Sequence, residues 1–380
     1  MALNDWMKPY KNRLLGQMHL PGSHDAGTAI GHIDLWGPGA TLSNSATQTL
    51  TIPKQLEIGT RFFDLRLKEH KGQIVAHHTT FGVGAYGKDS VDSVLVEVAD
   101  FCKNNPSEVV IIRISHTKLS TDAHSIAKNS AGDQLCKARG NLCKLTLEQL
   151  LNSGGGLICI FDAAAEKKGK WGILNKGGKK AGEFHDVISQ KDGIHSYTKY
   201  KAGGDDFGIA TCGCYSGTHK LQQVITNALK GQFDHCTSHE PNKLNHLWQI
   251  YWQKTYTNPF STTGIKVGTT KGAKFTFKDQ KAHGGTHAAT DYMVKLMEGH
   301  TGTVIHPELT DDKPQPRDVK VAKVKVEGKF RKQPVMTSTL PIRNRTLPNI
   351  ISYDFVNEKI NKYIISLNLK GTQTTEVYDD

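Results

Sequence analysis

Short apolar runs separated by amphipathic stretches give the chain its outline. LLGQMHL (residues 14–20), RFFDLRL (61–67), QIVAHH (73–78), EVVIIRIS (108–115), GLICIF (156–161), LWQIYW (247–252) and NIISYDF (349–355) stand out. Continuous apolar runs of about 4 to 8 residues suit strands covered on both faces. Between several of them the period changes. In residues 90–106, SVDSVLVEVADFCKNNP, the apolar positions Val91, Val94, Leu95, Val98, Phe101 and Cys102 recur at three- and four-residue spacing, which gives a helix one apolar face. Ser90 stands at the N-cap position and Pro106 follows the end. Further helices are predicted around residues 145–153, 218–232, 286–299 and 357–368. Strands alternating with helices predict a parallel sheet, and a strand count of about eight predicts closure. The expected fold class is therefore α/β, a (β/α)8 TIM-like barrel, irregular, with insertions between the later strands.

Such a barrel carries its chemistry at the carboxyl ends of its strands, and ionisable residues cluster there. PGSHDAG (21–27) supplies His24 and Asp25, RFFDLRL supplies Asp64 and Arg66, and QIVAHH supplies His77 and His78. Two histidines on separate strands, with a fixed cation and carboxylates between them, are what in-line displacement at a phosphodiester needs: a base, an acid and an anion clamp. Neighbouring strand residues point to opposite faces, so only one of His77 and His78 is expected to face the centre. A closed ring also asks for a polar residue at the end of the last strand, beside the first. Asp354, after NIISY, meets that requirement.

PGSHDAG, GTRFFDLR (59–66) and VAHHT (75–79) together resemble the catalytic X region of phosphatidylinositol-specific phospholipase C, the small bacterial enzymes in particular. The resemblance runs in order between residues 18 and 115, where NNPSEVVIIRIS also fits, and returns at LNHLWQIYW (244–252) and PNIISYDFVNE (348–358). It implies cleavage of phosphatidylinositol to diacylglycerol and inositol 1,2-cyclic phosphate. It further implies that His24 is the general base on the inositol 2-hydroxyl, oriented by Asp354. His78, chosen over His77, is then the general acid with Asp25 as its partner. Arg66 binds the phosphoryl oxygens, and Asp64 supports that side chain or the nucleophile.

The substrate-binding candidates are Arg66, His116, Asp162, Trp248 and Tyr251. Relatives carry a lysine or glutamate where this chain has His116, and bacterial relatives an arginine where it has Asp162, so head-group recognition is expected to differ. In eukaryotic relatives the place matching Arg66 is an acidic calcium ligand. A guanidinium donates no lone pair and repels Ca²⁺, so the resemblance implies a metal-independent enzyme with no cofactor. The alternatives are a metal-dependent phosphodiesterase on the same barrel, acting on glycerophosphodiesters or another lipid, and an inactive lipid-binding barrel.

Composition narrows the setting. At 380 residues with 37% apolar content the chain can bury a substantial core, and it is expected to form a single domain over residues 1–380, with elaborations at 254–286 and 307–340. No run of about 18 apolar residues is present, so no membrane span is expected. The N-terminal MALNDWMKPYKNRLLGQ lacks the apolar core of a secretory signal. The protein then stays in the cytoplasm, leaves by a route that needs no signal, or has had its signal removed. Seven cysteines, an odd number, make no disulfide framework in a chain of this length, and Cys212 and Cys214 read as ordinary reduced thiols.

The net charge of +12 favours anionic partners. With no helix-turn-helix, RNP or zinc-finger pattern the partner is expected to be a phosphatidylinositol-containing membrane surface rather than nucleic acid, and the protein a monomer. The lysine clusters, such as KVAKVKVEGKFRK (320–332), either solvate the surface or meet acidic lipid. Trp36, in LWGPG (35–39), is read as a loop residue that either enters a lipid headgroup layer or packs under its own loop.

Overall fold

The computed structural model describes residues 2–80, 83–115, 120–162, 183–191, 194–199, 208–212, 246–251, 303–305, 319–326, 329–337 and 349–370. Its strands are β1 (Leu20–Ser23), β2 (Ile33–Trp36), β3 (Phe62–His70), β4 (Gln73–Thr80), β5 (Val83–Ser90), β6 (Val110–Ser115), β7 (Leu157–Asp162) and β8 (Glu183–Lys191). There follow β9 (Ile194–Lys199), β10 (Gly208–Cys212), β11 (His246–Tyr251), β12 (Thr303–Ile305), β13 (Val319–Val326), β14 (Lys329–Thr337) and β15 (Ile350–Tyr353). The α-helices are α1 (Leu42–Ser45), α2 (Ile52–Glu57), α3 (Val91–Asn104), α4 (Ser120–Ala131), α5 (Leu147–Leu151) and α6 (Glu358–Lys370).

Twelve strands make one mixed sheet in the order β1-β15-β11-β10-β8-β9-β7-β6-β3-β4-β5-β2, with a further pairing of β1 to β3. The β1, β3, β6, β7 and β9 neighbours pair in parallel, as do β10, β11 and β15. Two excursions break the expected all-parallel pattern. β8 runs antiparallel to both β9 and β10, and β3, β4, β5 and β2 form an antiparallel meander. The short hairpin connection at Lys71, with φ 51°, and Gly72 suits antiparallel neighbours, which need no crossover helix.

β3 belongs to both arrangements. Phe62 to Arg66 pair in parallel with β6, and Leu67 to His70 pair antiparallel with β4. Arg66 therefore stands at the point where the strand leaves the parallel sheet.

Alternation along the strands sorts side chains into two cores. Phe63, Leu65, Leu67, Val110, Ile112 and Ile114 join Val94, Leu95 and Val98 of α3 on the helix-covered face. The opposite face holds Leu20, Phe62, Ile111, Ile158, Ile160, Leu247 and Ile350, and the N-terminal Trp6, Met7, Leu15 and Met18 close it at one end. On this face the strands carry apolar residues at their beginnings and ionisable ones at their carboxyl ends. Close approach also shapes it: a Cβ on Gly22 would lie 2.5 Å from Ser352 Oγ.

Several expectations need adjustment. The run 14–20 is not one strand; Leu15–Gln17 is a short 3-10 turn, and the strand begins only at Leu20. Trp36 ends β2 rather than sitting in a loop. The helices expected around 145–153 and 357–368 are present as α5 and α6, α5 with a capping box between Thr146 and Gln149. Those expected at 218–232 and 286–299, and the elaboration at 254–286, lie outside the described residues. Within 307–340, β13 and β14 pair antiparallel and, with β12, form a separate three-stranded sheet. α4 has no counterpart in the sequence reading, because STDAHSIAKNSA carries a weak apolar stripe.

Candidate active site

Two turns bring the central residues together. β1 is buried throughout and ends at Ser23, so His24 and Asp25 begin the turn above it. Asp25 has φ 43°, a left-handed conformation that Asp tolerates better than most residues. The turn is tied down on all sides. The Ala26 amide donates to Asp64 O at 3.0 Å. The hydroxyls of Thr28 and Thr47 donate to Asp25 O at 2.9 and 2.7 Å. Beside it, β15 ends at Tyr353 and Asp354 starts a second turn, in which Phe355 has φ 56°.

His24 Nδ1 lies 2.8 Å from Asp354 Oδ1. An ionised carboxylate only accepts, so Nδ1–H donates, and Nε2 is left as the lone-pair nitrogen. That nitrogen lies 3.4 Å from an Arg66 guanidinium NH2 and 3.3 Å from Asp25 Oδ2. Arg66 Nε in turn lies 2.9 Å from Asp25 Oδ1. His78 approaches from β4. Its Nδ1 donates to Ser45 O at 3.0 Å, and its Nε2 lies 3.8 Å from Asp25 Oδ2. Asp25 thus sits among both histidines and the arginine, closer to Arg66 and His24 than to His78. Burial pushes the Asp354 carboxyl up, against the opposing pull of His24.

Asp64 Oδ1 accepts from Ser115 Oγ at 3.2 Å. Ser115 ends β6 on the same face and is missing from the sequence candidates. The strand-end rule that selected Asp354 would also have found it. His116 lies outside the described residues. Asp162 ends β7, and Trp248 and Tyr251 lie in β11, but for these three only the backbone belongs to the described part.

His77 keeps away from the His24 contacts, with Nδ1 3.0 Å from Thr79 Oγ1. Burial lowers its pKa to about 4, with smaller effects from Asp25, Arg66 and Lys68. It therefore titrates within the field of the site while pointing elsewhere. An irregularity in the β4–β5 register between Val75 and His77 accompanies this pair.

A metal is tested by the same geometry. Ligand atoms of His24, Asp25 and Asp64 lie within 4.8 Å of one another. The Arg66 guanidinium, however, lies against two of these three residues, and a cation sharing that space would face a fixed positive charge. The set is a poor fit for calcium.

Residues 28–176 match the PI-PLC X family model. The chain carries a PI-PLC X domain. Over 136 residues it is 30% identical to the 1-phosphatidylinositol phosphodiesterase of Listeria monocytogenes, covering 32% of this chain and 40% of that protein. Over 190 residues it is 30% identical to human PI-PLC X domain-containing protein 1, covering 42% and 57%. The chain spans less than two thirds of the length of either relative, and a bacterial and a human protein match at the same identity, so the particular likeness to bacterial enzymes is not distinguished. In solved structures the fold resembles the phosphatidylinositol-specific phospholipase C of Listeria monocytogenes, with TM-score 0.52 and 12% identity over 96% of this chain and 98% of that one. The mixed α/β sheet of this chain is thus that of a known phospholipase C fold. Both His24 and Asp354 lie outside the matched range, one on either side.

Proposed function

We propose that the protein is a phosphatidylinositol-specific phospholipase C that forms diacylglycerol and inositol 1,2-cyclic phosphate. The observation that carries this reading is the convergence of His24, paired to Asp354 at 2.8 Å, with Arg66 and His78 around the Asp25 carboxylate. His24 Nε2 takes the proton of the inositol 2-hydroxyl as its oxygen bonds to phosphorus. Asp354 holds the ring and stabilises the imidazolium. Arg66 meets the phosphoryl oxygens through its planar fork. His78 Nε2, its other nitrogen committed to Ser45 O, delivers a proton to the glycerol oxygen as the phosphorus–oxygen bond breaks. Asp25 stabilises the charged form of His78 before that transfer.

The pairing of β1 with both β15 and β3 supports closure of the sheet into an irregular barrel, with the site at the carboxyl ends of its strands. We read residues 1–380 as one such domain, acting as a monomer at a phosphatidylinositol-containing membrane and not on nucleic acid. Trp36 is 53% exposed and Leu35 and Leu42 are also exposed, an apolar edge suited to a lipid layer. Among the described residues no helix is long and apolar enough to cross a membrane. No metal is required in this reading, since Arg66 supplies the positive charge. A metal-dependent phosphodiesterase is the second reading; the closeness of the His24, Asp25 and Asp64 ligand atoms is its support, and the Arg66 charge beside them weighs against it.

The test is to present the purified protein with vesicles of several phospholipids and follow the products by phosphorus NMR. A cyclic phosphodiester signal from phosphatidylinositol alone is expected. Release of a phosphomonoester from another lipid, or no turnover of any, would reject the proposed reaction.

A further inference from the structure

One unbroken stretch, residues 45–48, bonds to His78 and to the backbone of both catalytic turns. Ser45 O accepts the His78 Nδ1–H at 3.0 Å. Thr47 Oγ1 donates to Asp25 O, and Thr47 O accepts the Phe355 amide at 2.8 Å. Gln48 does most. It is fully buried, and its Nε2 donates to His24 O at 2.9 Å and to Tyr353 O at 3.4 Å. Its Oε1 accepts the Val356 amide at 3.0 Å.

Carbonyls only accept and amides only donate, so these partners fix which end of the Gln48 amide faces which turn. The backbone of the stretch is itself fastened alongside residues 28–30: the Thr47 and Gln48 amides both donate to Thr28 O, and Gln48 O accepts from the Ile30 amide. Nothing of this is visible in TLSNSATQT, which has no apolar period.

We infer that residues 45–48 are the positioning segment of this site, with Gln48 as the positioning residue that sets the separation of His24 from Asp354. The inference rests on the proposed acid–base roles. The two catalytic turns come from chain positions more than 300 apart and adopt left-handed backbone at Asp25 and Phe355. Such conformations persist only where surrounding contacts hold them. The β1–β15 pairing and the His24 amide, which donates to Tyr353 O at 3.3 Å, tie the two turns at their bases, and the Gln48 side chain, bonded to both turns at once, adds a link above them. Misplacement of a catalytic pair by about 1 Å is worth on the order of 10²-fold in rate.

The comparison uses Gln48→Met, which keeps length and loses all three bonds, and Gln55→Met. Gln55 is equally buried, and its Nε2 donates to Ala26 O and Leu50 O at 3.0 and 2.7 Å, but it holds neither catalytic turn to the other. Two quantities are read: kcat and KM on phosphatidylinositol vesicles, and the titration of the His24 ring by nitrogen NMR. The ring is faced by Asp354, Asp25, Arg66 and Asp64.

Gln48→Met should lower kcat by about 10-fold or more with little change in KM. It should also move the His24 titration to lower pH, because the carboxylate that favours the imidazolium is held less closely. Gln55→Met should lower the melting temperature and leave both quantities near those of the wild type. A Gln48→Met protein with wild-type kcat and titration, or a Gln55→Met protein with the same losses, overturns the inference. If Gln48→Met does not fold, Thr47→Val decides: removing its hydroxyl bond to Asp25 should reduce kcat by about 3-fold or more, and an unchanged kcat overturns the inference. If the wild type cleaves no lipid the proposed reaction fails, but the ring titrations still compare the variants.

Discussion

Arg61 and Arg66 stand five residues apart in GTRFFDLR and do opposite work. Arg61 is fully buried. Its Nε pairs with Glu108 Oε2 at 2.6 Å, its NH1 donates to Leu56 O and Thr60 O, and its NH2 donates to Leu3 O. Its guanidinium lies 4.7 Å from the centre of the Phe101 ring. Glu108 Oε1 meanwhile accepts the Met7 amide. This arginine uses its donors to tie the N-terminal segment, the end of α2 and Glu108 together. Arg66 keeps 15% of its side chain exposed, at the point where β3 leaves the parallel sheet, and it faces the Asp25 carboxylate and the His24 imidazole. The difference teaches that charge in a motif does not mark function. What the guanidinium is bonded to, and whether a ligand can reach it, decides.

The strongest way to test that contrast is to remove Arg61. Arg61→Met leaves Glu108 buried without its partner, and breaking a buried pair from one side costs about 3–5 kcal/mol. Urea unfolding should show a loss of that size. Glu108→Gln added to Arg61→Met should recover part of it, since the uncompensated charge is then gone. A single variant as stable as the wild type would remove the structural role assigned here.

Arg66 should give the complementary result. Arg66→Lys keeps the charge but not the two-pronged contact with phosphate, so the initial rate on phosphatidylinositol should fall on the order of 10²-fold while the unfolding midpoint barely moves. The wild-type rate should also survive EDTA. A wild type silenced by EDTA and restored by Ca²⁺ would put the metal-dependent reading first.

The same contrast explains what was legible in the sequence. His24, Asp25, Arg66, His78 and Asp354 were readable because each follows an apolar strand, and strand ends are where such sheets place chemistry. Those strands were themselves readable from unbroken runs such as VIIRIS. β5 and β2 were not, because VGAYGKDS mixes glycine and charge and the β2 pairing is long-range, so the antiparallel meander they form with β4 went unread. Gln48 and Thr47 were invisible because hydrogen bonds to distant backbone leave no period. Asp25 was read as the partner of His78, yet it lies nearer Arg66 and His24; pairing among several charges depends on distances of a few tenths of an ångström, which spacing along a chain does not encode.

The smallest predicted effect separates the two adjacent histidines. His78 is held by a carbonyl on one nitrogen and faces Asp25 with the other, whereas burial depresses the pKa of His77 to about 4. An unfolded histidine titrates near 6.5. Between those values the unfolded chain binds a proton at residue 77 that the folded protein refuses, so stability falls as pH drops from about 6.5 toward 4 and levels off below that. His77→Gln keeps a neutral polar side chain and removes the titration. Melting temperature against pH should therefore decline less steeply for the variant across that window, with the curves parallel above pH 7. Because His77 is outside the proposed proton transfers, its variant should also retain most of the activity, while His78→Ala should lose about 10²-fold or more. Parallel melting curves down to pH 4 would show that His77 is not the group refusing the proton, and equal activity losses for the two variants would undo the assignment of the acid to His78.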